Sequence, residues 1–366
     1  MDITANRHMK ILHIITSLHT GGAEKLIVDI APKLKNLGHT VDVLLFDGSN
    51  TPFKQQLTKL NVNILTLSNG GSVYNPLHIC KLIPILCRYD IIHTHNTAPQ
   101  LFAAIANLFC RKKLITTEHS TTNRRHNWWW YKPIDRFMYN QYEKIICISD
   151  QAEKNLRSYL GKCRADIVTI YNGVDITKYA SATASNELQI IAPNCRAIVM
   201  VAGFRYQKDQ DTLIRATALL PQQFHTFFIG DGERKQQCEV LAQTEGIADR
   251  VHFMGIRMNI PELLKAADYV VLSSHWEGFG LAAVEGMCAS KPVIVSNVKG
   301  LAQVVDGAGV IFDLGNAQQL ASEILKLDND PLKYKEIALS CLNRSCIYDI
   351  SNMINKYNQL YIYGVN

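Results

Sequence analysis

Glu277 and Glu285 lie eight positions apart, and Gly278-Phe279-Gly280-Leu281 follows directly on the first. That distance is too long for one helical turn, but the two carboxylates approach each other if a loop bearing Glu277 leads into a helix bearing Glu285. A carboxylate accepts paired hydrogen bonds from neighbouring hydroxyls. The exposed amides of a glycine turn at a helix start bind phosphate oxygens. The spacing therefore suits a hexose on Glu277, a ribose on Glu285, and phosphate between them on backbone N–H groups. Without a functional reading, Glu285 is a surface helix residue and Glu277 a carboxylate at a helix start; the Gly-x-Gly context speaks for the first interpretation.

Two other segments carry chemistry suited to an anion. Gly203-Phe204-Arg205-Tyr206-Gln207-Lys208 follows a β-rich run and sets two cations beside a helix start. Cations there suit a diphosphate whose charge grows as a bond breaks, although a solvated charged turn has the same composition. Gly21-Gly22-Ala23-Glu24 opens the first helical segment directly after the first strand-like run. Its glycines allow an anion close to the backbone, but it lacks the G-x-G-x-x-G spacing of a dinucleotide dehydrogenase.

Histidines and aromatics supply further candidates. His119 follows a strand-like run, at the end of a sheet where open α/β folds bind ligands, and is expected to contact donor or acceptor. His93 and His95 share one strand face, yet no adjacent Cys or carboxylate completes a metal set, so satisfied or cleft-lining histidines are expected. Asp209-Gln-Asp211 and Asp328-Asn-Asp330 imitate D-x-D metal motifs, but read better as a helix-start cap and a loop before Pro331. Arg124-Arg125-His126-Asn127-Trp128-Trp129-Trp130 puts three consecutive indoles beside cations; no single helix or strand face buries all three. At least one should be exposed or covered by a partner, with an anionic membrane, a lipid diphosphate or a sugar as candidates.

Elements able to position these groups alternate along the chain. Strand-like runs fall at residues 10–15, 40–46, 63–66, 91–95, 114–118, 144–149 and 167–171, with helical patterns between most of them. After an Ala/Ser/Thr-rich loop at 172–193 a second round falls at 197–202, 225–229, 251–254, 269–272, 292–296 and 309–312. Alternation of this kind predicts parallel sheets wrapped by helices. The expected organisation is α/β throughout: a Rossmann-like domain over 1–175, a second over 176–340, and a helix-patterned terminal stretch that returns to the first, taken as 341–366. Asn172-Gly173-Val174-Asp175 is the expected hinge.

A chain of 366 residues, 47% apolar and 19% charged, has the length for two cores and the composition of a globular protein. Residues 1–175 hold 21 Lys and Arg against 13 Asp and Glu, and residues 176–366 hold 17 against 19, so the basic excess belongs to the first half. Nucleic acid, anionic membrane and phosphorylated substrates all suit such a half. The ten cysteines are scattered with no C-x-x-C pair, as expected of free thiols. No apolar stretch approaches membrane-spanning length, and the opening residues lack a secretion signal's apolar centre, so a cytoplasmic location is expected, including the inner face of the cytoplasmic membrane.

Taken in order, Gly21-Gly22-Ala23-Glu24, His119, Ile148-Ser149-Asp150, Asn172-Gly173-Val174-Asp175, Gln207-Lys208-Asp209, Gly230-Asp231-Gly232 and Glu277 through Glu285 resemble glycosyltransferase family 4, and the resemblance spans nearly the whole chain. It implies a GT-B fold, two Rossmann-like domains facing across a cleft, and transfer from a nucleotide-diphosphate sugar with retained configuration and no metal or other cofactor. A UDP-sugar is the expected donor, and a saccharide acceptor, lipid-linked in the expected case, the partner; no nucleic acid is expected. The resemblance assigns the donor sugar to Glu277, the nearby amides to Phe279, Gly280 and Leu281, the ribose to Glu285, and the diphosphate to Lys208 and the Gly22 backbone. The family's usual arginine five positions before the lysine is here Gly203, and Arg205 is expected to supply that charge by reaching back. Alternatives are a sugar-nucleotide epimerase on the same fold and a non-catalytic sugar- or nucleic-acid-binding protein.

Overall fold

The computed structural model describes residues 8–121 and 128–364. Arg124 and Arg125 lie outside them. The chain divides into two compact units, one of residues 1–173 with 350–366 and the other of 174–349.

In the first unit, β1 (Lys10–Ile15), β2 (Thr40–Asp47), β3 (Asn63–Ser68), β4 (Ile91–His95), β5 (Lys113–Glu118), β6 (Lys144–Cys147) and β7 (Asp166–Thr169) form a wholly parallel sheet in the order β3-β2-β1-β4-β5-β6-β7. Strand side chains alternate between faces, and the sequence fills both faces with apolar groups. Ile11, Ile15, Val41 and Val43 join one core cluster, while Leu12, Ile14, Leu44 and Phe46 join the other. The helix Gly22–Asn36 covers the first face through Leu26, Ile27 and Ile30. The helix Ile350–Tyr363 adds Met353, Ile354, Tyr357, Leu360 and Tyr361 to the same cluster.

The second unit contains β8 (Arg196–Val201), β9 (Phe224–Ile229), β10 (Val251–Gly255), β11 (Tyr269–Leu272), β12 (Val293–Ser296) and β13 (Val310–Phe312), parallel in the order β10-β9-β8-β11-β12-β13. In each sheet the chain runs outward from a central strand in one direction and then returns to build the other side. That reversal opens a crevice at the strands' carboxyl ends, between β1 and β4 in one unit and between β8 and β11 in the other.

Several boundaries differ from the sequence expectation for local physical reasons. Residues 341–349 pack with the second unit, because the terminal stretch is two helices, Pro331–Ser345 and Ile350–Tyr363, separated by a turn at Cys346–Tyr348. Asp330 caps the first of these through the amides of Leu332 and Lys333. The run expected to reach 149 ends as a strand at Cys147, since Ser149 accepts from the Ala152 amide and starts the helix Asp150–Leu160. Among the described residues, no helix is long and apolar enough to cross a membrane.

Candidate active site

In the second unit the loops after β8 and β11 meet. The loop after β8 ends in a short turn, Tyr206–Lys208, followed by Asp209 in the left-handed region at φ 49°. Asp209 accepts from the Thr212 hydroxyl at 2.6 Å and caps the helix Gln210–Leu219. Ser273, just beyond β11, donates to the Asp209 carbonyl at 2.6 Å, and the His275 amide donates to the Gln207 carbonyl at 2.8 Å. These bonds hold Lys208 against Glu277, Nζ to Oε2 2.5 Å, with side chains only 21% and 13% exposed. Ser274 Oγ lies 3.4 Å from the same Glu277 oxygen.

Glycines fix the backbone around this pair. Gly280 is left-handed at φ 81° and starts the helix Leu281–Cys288; its carbonyl accepts from the Ala283 amide at 2.9 Å, while the amides of Leu281 and Ala282 before it have no acceptor within the helix. A Cβ on Gly300 would sit 2.1 Å from the Glu277 carbonyl oxygen, so only glycine permits that approach. A Cβ on Gly230 would lie 2.2 Å from the Ala202 carbonyl oxygen and one on Gly232 2.5 Å from that of Phe204, so these glycines let the loop after β9 press against the one after β8. Phe279 is buried and packs edge-on against Tyr348 at 5.3 Å, so its ring anchors the turn and its backbone is what a ligand can meet. Gly278 and Leu281 flank this anchored stretch, and Glu285 is buried one turn into the helix.

Where the family pattern carries arginine, Gly203 leaves space that Arg205 enters: a Cβ placed on Gly203 would lie 3.9 Å from Arg205 Nε. Arg205, exposed and without a carboxylate ion-pair partner among the described residues, thus folds back toward the expected position. Carboxylates of the D-x-D look-alikes are engaged elsewhere. Asp211 pairs with Arg234 at 2.8 Å, Asp328 with Arg196 at 2.9 Å, and Asp209 and Asp330 serve as caps.

In the first unit, Gly21 and Gly22 start the helix after β1, and the Glu24 side chain curls over Gly21 at the helix's positive end. His119 follows β5 and is partly exposed. Its Nε2 lies 2.9 Å from His95 Nδ1, and burial lowers its pKa to about 4, against a smaller upward pull from Glu118. Glu118 itself accepts from Gln100 and Tyr139, each at 2.6 Å. Behind His119, His13 of β1 pairs in register with His93 of β4, and His13 Nδ1 lies 3.1 Å from His95 Nε2. Sequence reasoning saw His93 and His95 but missed His13; its spacing from them depends on β1 and β4 being neighbours, which no local pattern encodes.

The ligand atoms of His13, His93 and His95 lie within 4.8 Å of one another, but the rings do not converge on a point. His93 stacks on His95 at 4.5 Å, His13 meets His95 edge to edge through the Nδ1–Nε2 contact, and the two nitrogens of His93 meet Tyr361 Oη and Thr117 Oγ1. Both nitrogens of His93 and both of His95 are already engaged in hydrogen bonds, which leaves neither ring a lone pair directed at a common ion.

The indole run sits at a turn, Trp129–Tyr131, leading into the helix Lys132–Tyr139. Trp128, Trp129 and Trp130 are 48%, 86% and 52% exposed, and Trp128 stacks on Trp130 at 5.5 Å. Ile134 and Phe137 on the following helix are exposed as well.

Two doubly wound α/β units with a cation–carboxylate pair at the second unit's crevice are the architecture of a GT-B glycosyltransferase. Residues 20–178 match the Glycosyltransferase Family 4 profile and residues 189–339 match Glycosyl transferases group 1, so that together they account for most of the chain. The chain belongs to glycosyltransferase family 4 and is a transferase. It is 26% identical over 294 residues, 75% of its length and 76% of the other's, to the Escherichia coli UDP-Gal:alpha-D-GlcNAc-diphosphoundecaprenol alpha-1,3-galactosyltransferase. It is 24% identical to the Bacillus anthracis N-acetyl-alpha-D-glucosaminyl L-malate synthase, covering 93% of each chain. Among solved structures, Anabaena Alr3699/HepE in complex with UDP and glucose superposes with a TM-score of 0.85 at 26% identity, covering 96% of this chain and 99% of that one.

Proposed function

We propose that this chain moves a hexosyl group from a UDP-sugar to a lipid-linked saccharide, with retained anomeric configuration and without a metal, in the building of a bacterial surface glycan. The Lys208–Glu277 pair beside the Gly278–Gly280 turn carries the reading. It sets a cation for a leaving diphosphate next to a carboxylate for sugar hydroxyls, with helix-start amides adjoining. Lys208 with Arg205 supplies the positive charge that a metal gives other transferases, and the engaged state of Asp209, Asp211 and Asp328 supports that division. The UDP and glucose of the HepE structure and the lipid-diphosphate acceptor named for the E. coli relative support the choice of donor and acceptor.

In the reaction the acceptor hydroxyl oxygen bonds to the anomeric carbon as the bond to the diphosphate oxygen breaks. The hydroxyl proton passes to the departing phosphate on the same face, and UDP leaves. Glu277, held by Lys208, orients the sugar rather than attacking it. His119 contacts donor or acceptor. The exposed Trp128–Trp130 turn, with Ile134 and Phe137, rests on the inner face of the cytoplasmic membrane and brings the enzyme to a lipid acceptor.

Labelled UDP-, GDP- and ADP-sugars offered with a polyprenyl-diphosphate saccharide test the proposal. Transfer from a UDP-sugar that persists in chelator, keeps the anomeric configuration and disappears in Glu277→Ala is expected. Full transfer by Glu277→Ala would refute the site. Interconversion of the donor without acceptor would favour the epimerase.

A further inference from the structure

Three imidazoles form a continuous hydrogen-bonded row from the sheet interior to the end of β5: His13 Nδ1 to His95 Nε2 at 3.1 Å, then His95 Nδ1 to His119 Nε2 at 2.9 Å. His13 and His95 are fully buried, and only His119 reaches solvent. His93 stacks on His95 from beside the row and is clamped by Tyr361 Oη at 2.5 Å and Thr117 Oγ1 at 2.7 Å. Tyr361 belongs to the terminal helix, so that helix braces the row as well as the core.

The chemistry of a neutral imidazole orders this row. Each ring carries one N–H, so His95 donates at one nitrogen and accepts at the other, and both bonds must point the same way along the row. His13 Nε2 decides the direction, because it is buried without a hydrogen-bond partner. If the row ran inward from His119, the proton of His13 would sit on that nitrogen as an orphaned N–H. If it runs outward, His13 Nε2 is a bare lone pair. Orphaned buried donors are rarer than unused acceptors, so the outward direction prevails. All three rings are neutral near pH 7, since burial lowers the pKa of His13 to about 3 and of His119 to about 4, and takes His95 well below its usual value.

We propose that His13 and His95 are positioning residues that lock His119 as the Nδ1–H tautomer, so that its outer edge presents a fixed hydrogen-bond donor to a sugar hydroxyl of the bound substrate. The proposal rests on the reading of His119 as a substrate contact. The row replaces a carboxylate in that role: Glu118, the nearest acid in sequence, is occupied by Gln100 and Tyr139, so the ring is oriented without being charged. A neutral donor holds a hydroxyl without adding a charge of its own.

Nitrogen NMR of the full-length protein labelled with ¹⁵N-histidine reads the tautomer directly, with His119→Ala identifying the His119 signals. The expected wild-type spectrum shows His119 protonated at Nδ1 and bare at Nε2. His95→Phe keeps ring volume but removes both bonds; it should mix the His119 tautomers and lower kcat about 10–100-fold, with donor KM within about twofold. His95→Asn places an amide N–H near the position of imidazole Nδ1 and should restore both the tautomer and most of kcat, which a role in packing alone does not predict. An Nε2–H tautomer in wild type, or a folded His95→Phe with unchanged His119 signals and kcat, overturns the row. The wild-type spectrum decides even if His95→Phe does not fold. Full transfer by His119→Ala overturns instead the reading on which the row's function rests, and leaves the tautomer result standing.

Discussion

Replacing Lys208 with methionine keeps an unbranched side chain, one atom shorter, and deletes its charge. The ammonium lies 2.5 Å from Glu277 Oε2 in a setting only 13–21% exposed, so its field is not fully screened by water. With an effective dielectric of about 20, one unit of charge developing about 5 Å from Nζ interacts by about 3 kcal/mol, or roughly 10²–10³ in rate. The loss should therefore fall on kcat, with a smaller rise in donor KM. The same change leaves the Glu277 carboxylate without its cation. That costs more than the ~0.2–1 kcal/mol of an exposed pair and less than the ~3–5 kcal/mol of a buried one, hence about 1–2 kcal/mol. For a unit of this size, that lowers the melting temperature by about 2–8 °C. Steady-state transfer from the UDP-sugar and a thermal melt measure the two effects separately. Lys208→Met/Glu277→Gln should recover the melt, since no charge is left unpaired, and remain slow. A folded Lys208→Met with kcat within about threefold of wild type would refute the electrostatic assignment, whatever its melting temperature.

Gly300→Ala should displace the Glu277 loop, because its Cβ would lie 2.1 Å from a backbone oxygen; a loss of transfer of at least about tenfold is expected, with the fold retained by circular dichroism. Acidification should destabilise the first unit. The folded pKa values of His13, about 3, and His119, about 4, lie below the ordinary 6.5, so the unfolded chain binds protons first as pH falls below 6.5. Stability is thus retained above pH 6.5 and lost toward the folded values, by about 1.4 kcal/mol per histidine between pH 7.5 and 5.5, which urea titrations at the two pH values measure. Replacing Trp128, Trp129 and Trp130 together by alanine should weaken sedimentation with anionic vesicles about tenfold or more, while the melting temperature moves little because all three are about half exposed or more; unchanged vesicle binding would remove the membrane role.

How much of this could be read from residues alone depended on whether the information was local. Strands such as β1, β4 and β11 were legible to the residue, because short β-rich runs end where glycine or polar loops begin. Helix starts were harder: Ser149 has strand neighbours, and only its bond to the Ala152 amide reassigns it. In the second unit the motif residues proved local too. Lys208 and Glu277 each follow a strand of the central pair, so recognising β8 and β11 as adjacent at a topological switch brings them together. Gly300 had no such signal, since its constraint is the close approach of a carbonyl 23 positions earlier. His13 is the sharpest case. Within Lys10–Ile15 it is one polar residue in an apolar strand, which alone suggests a satisfied core histidine. Its partners sit on β4, and only the order β2-β1-β4-β5 aligns His13, His95 and His119 into a row. A buried histidine is therefore informative when its strand lies at the switch point, where the sheet's interior leads directly to the ligand edge.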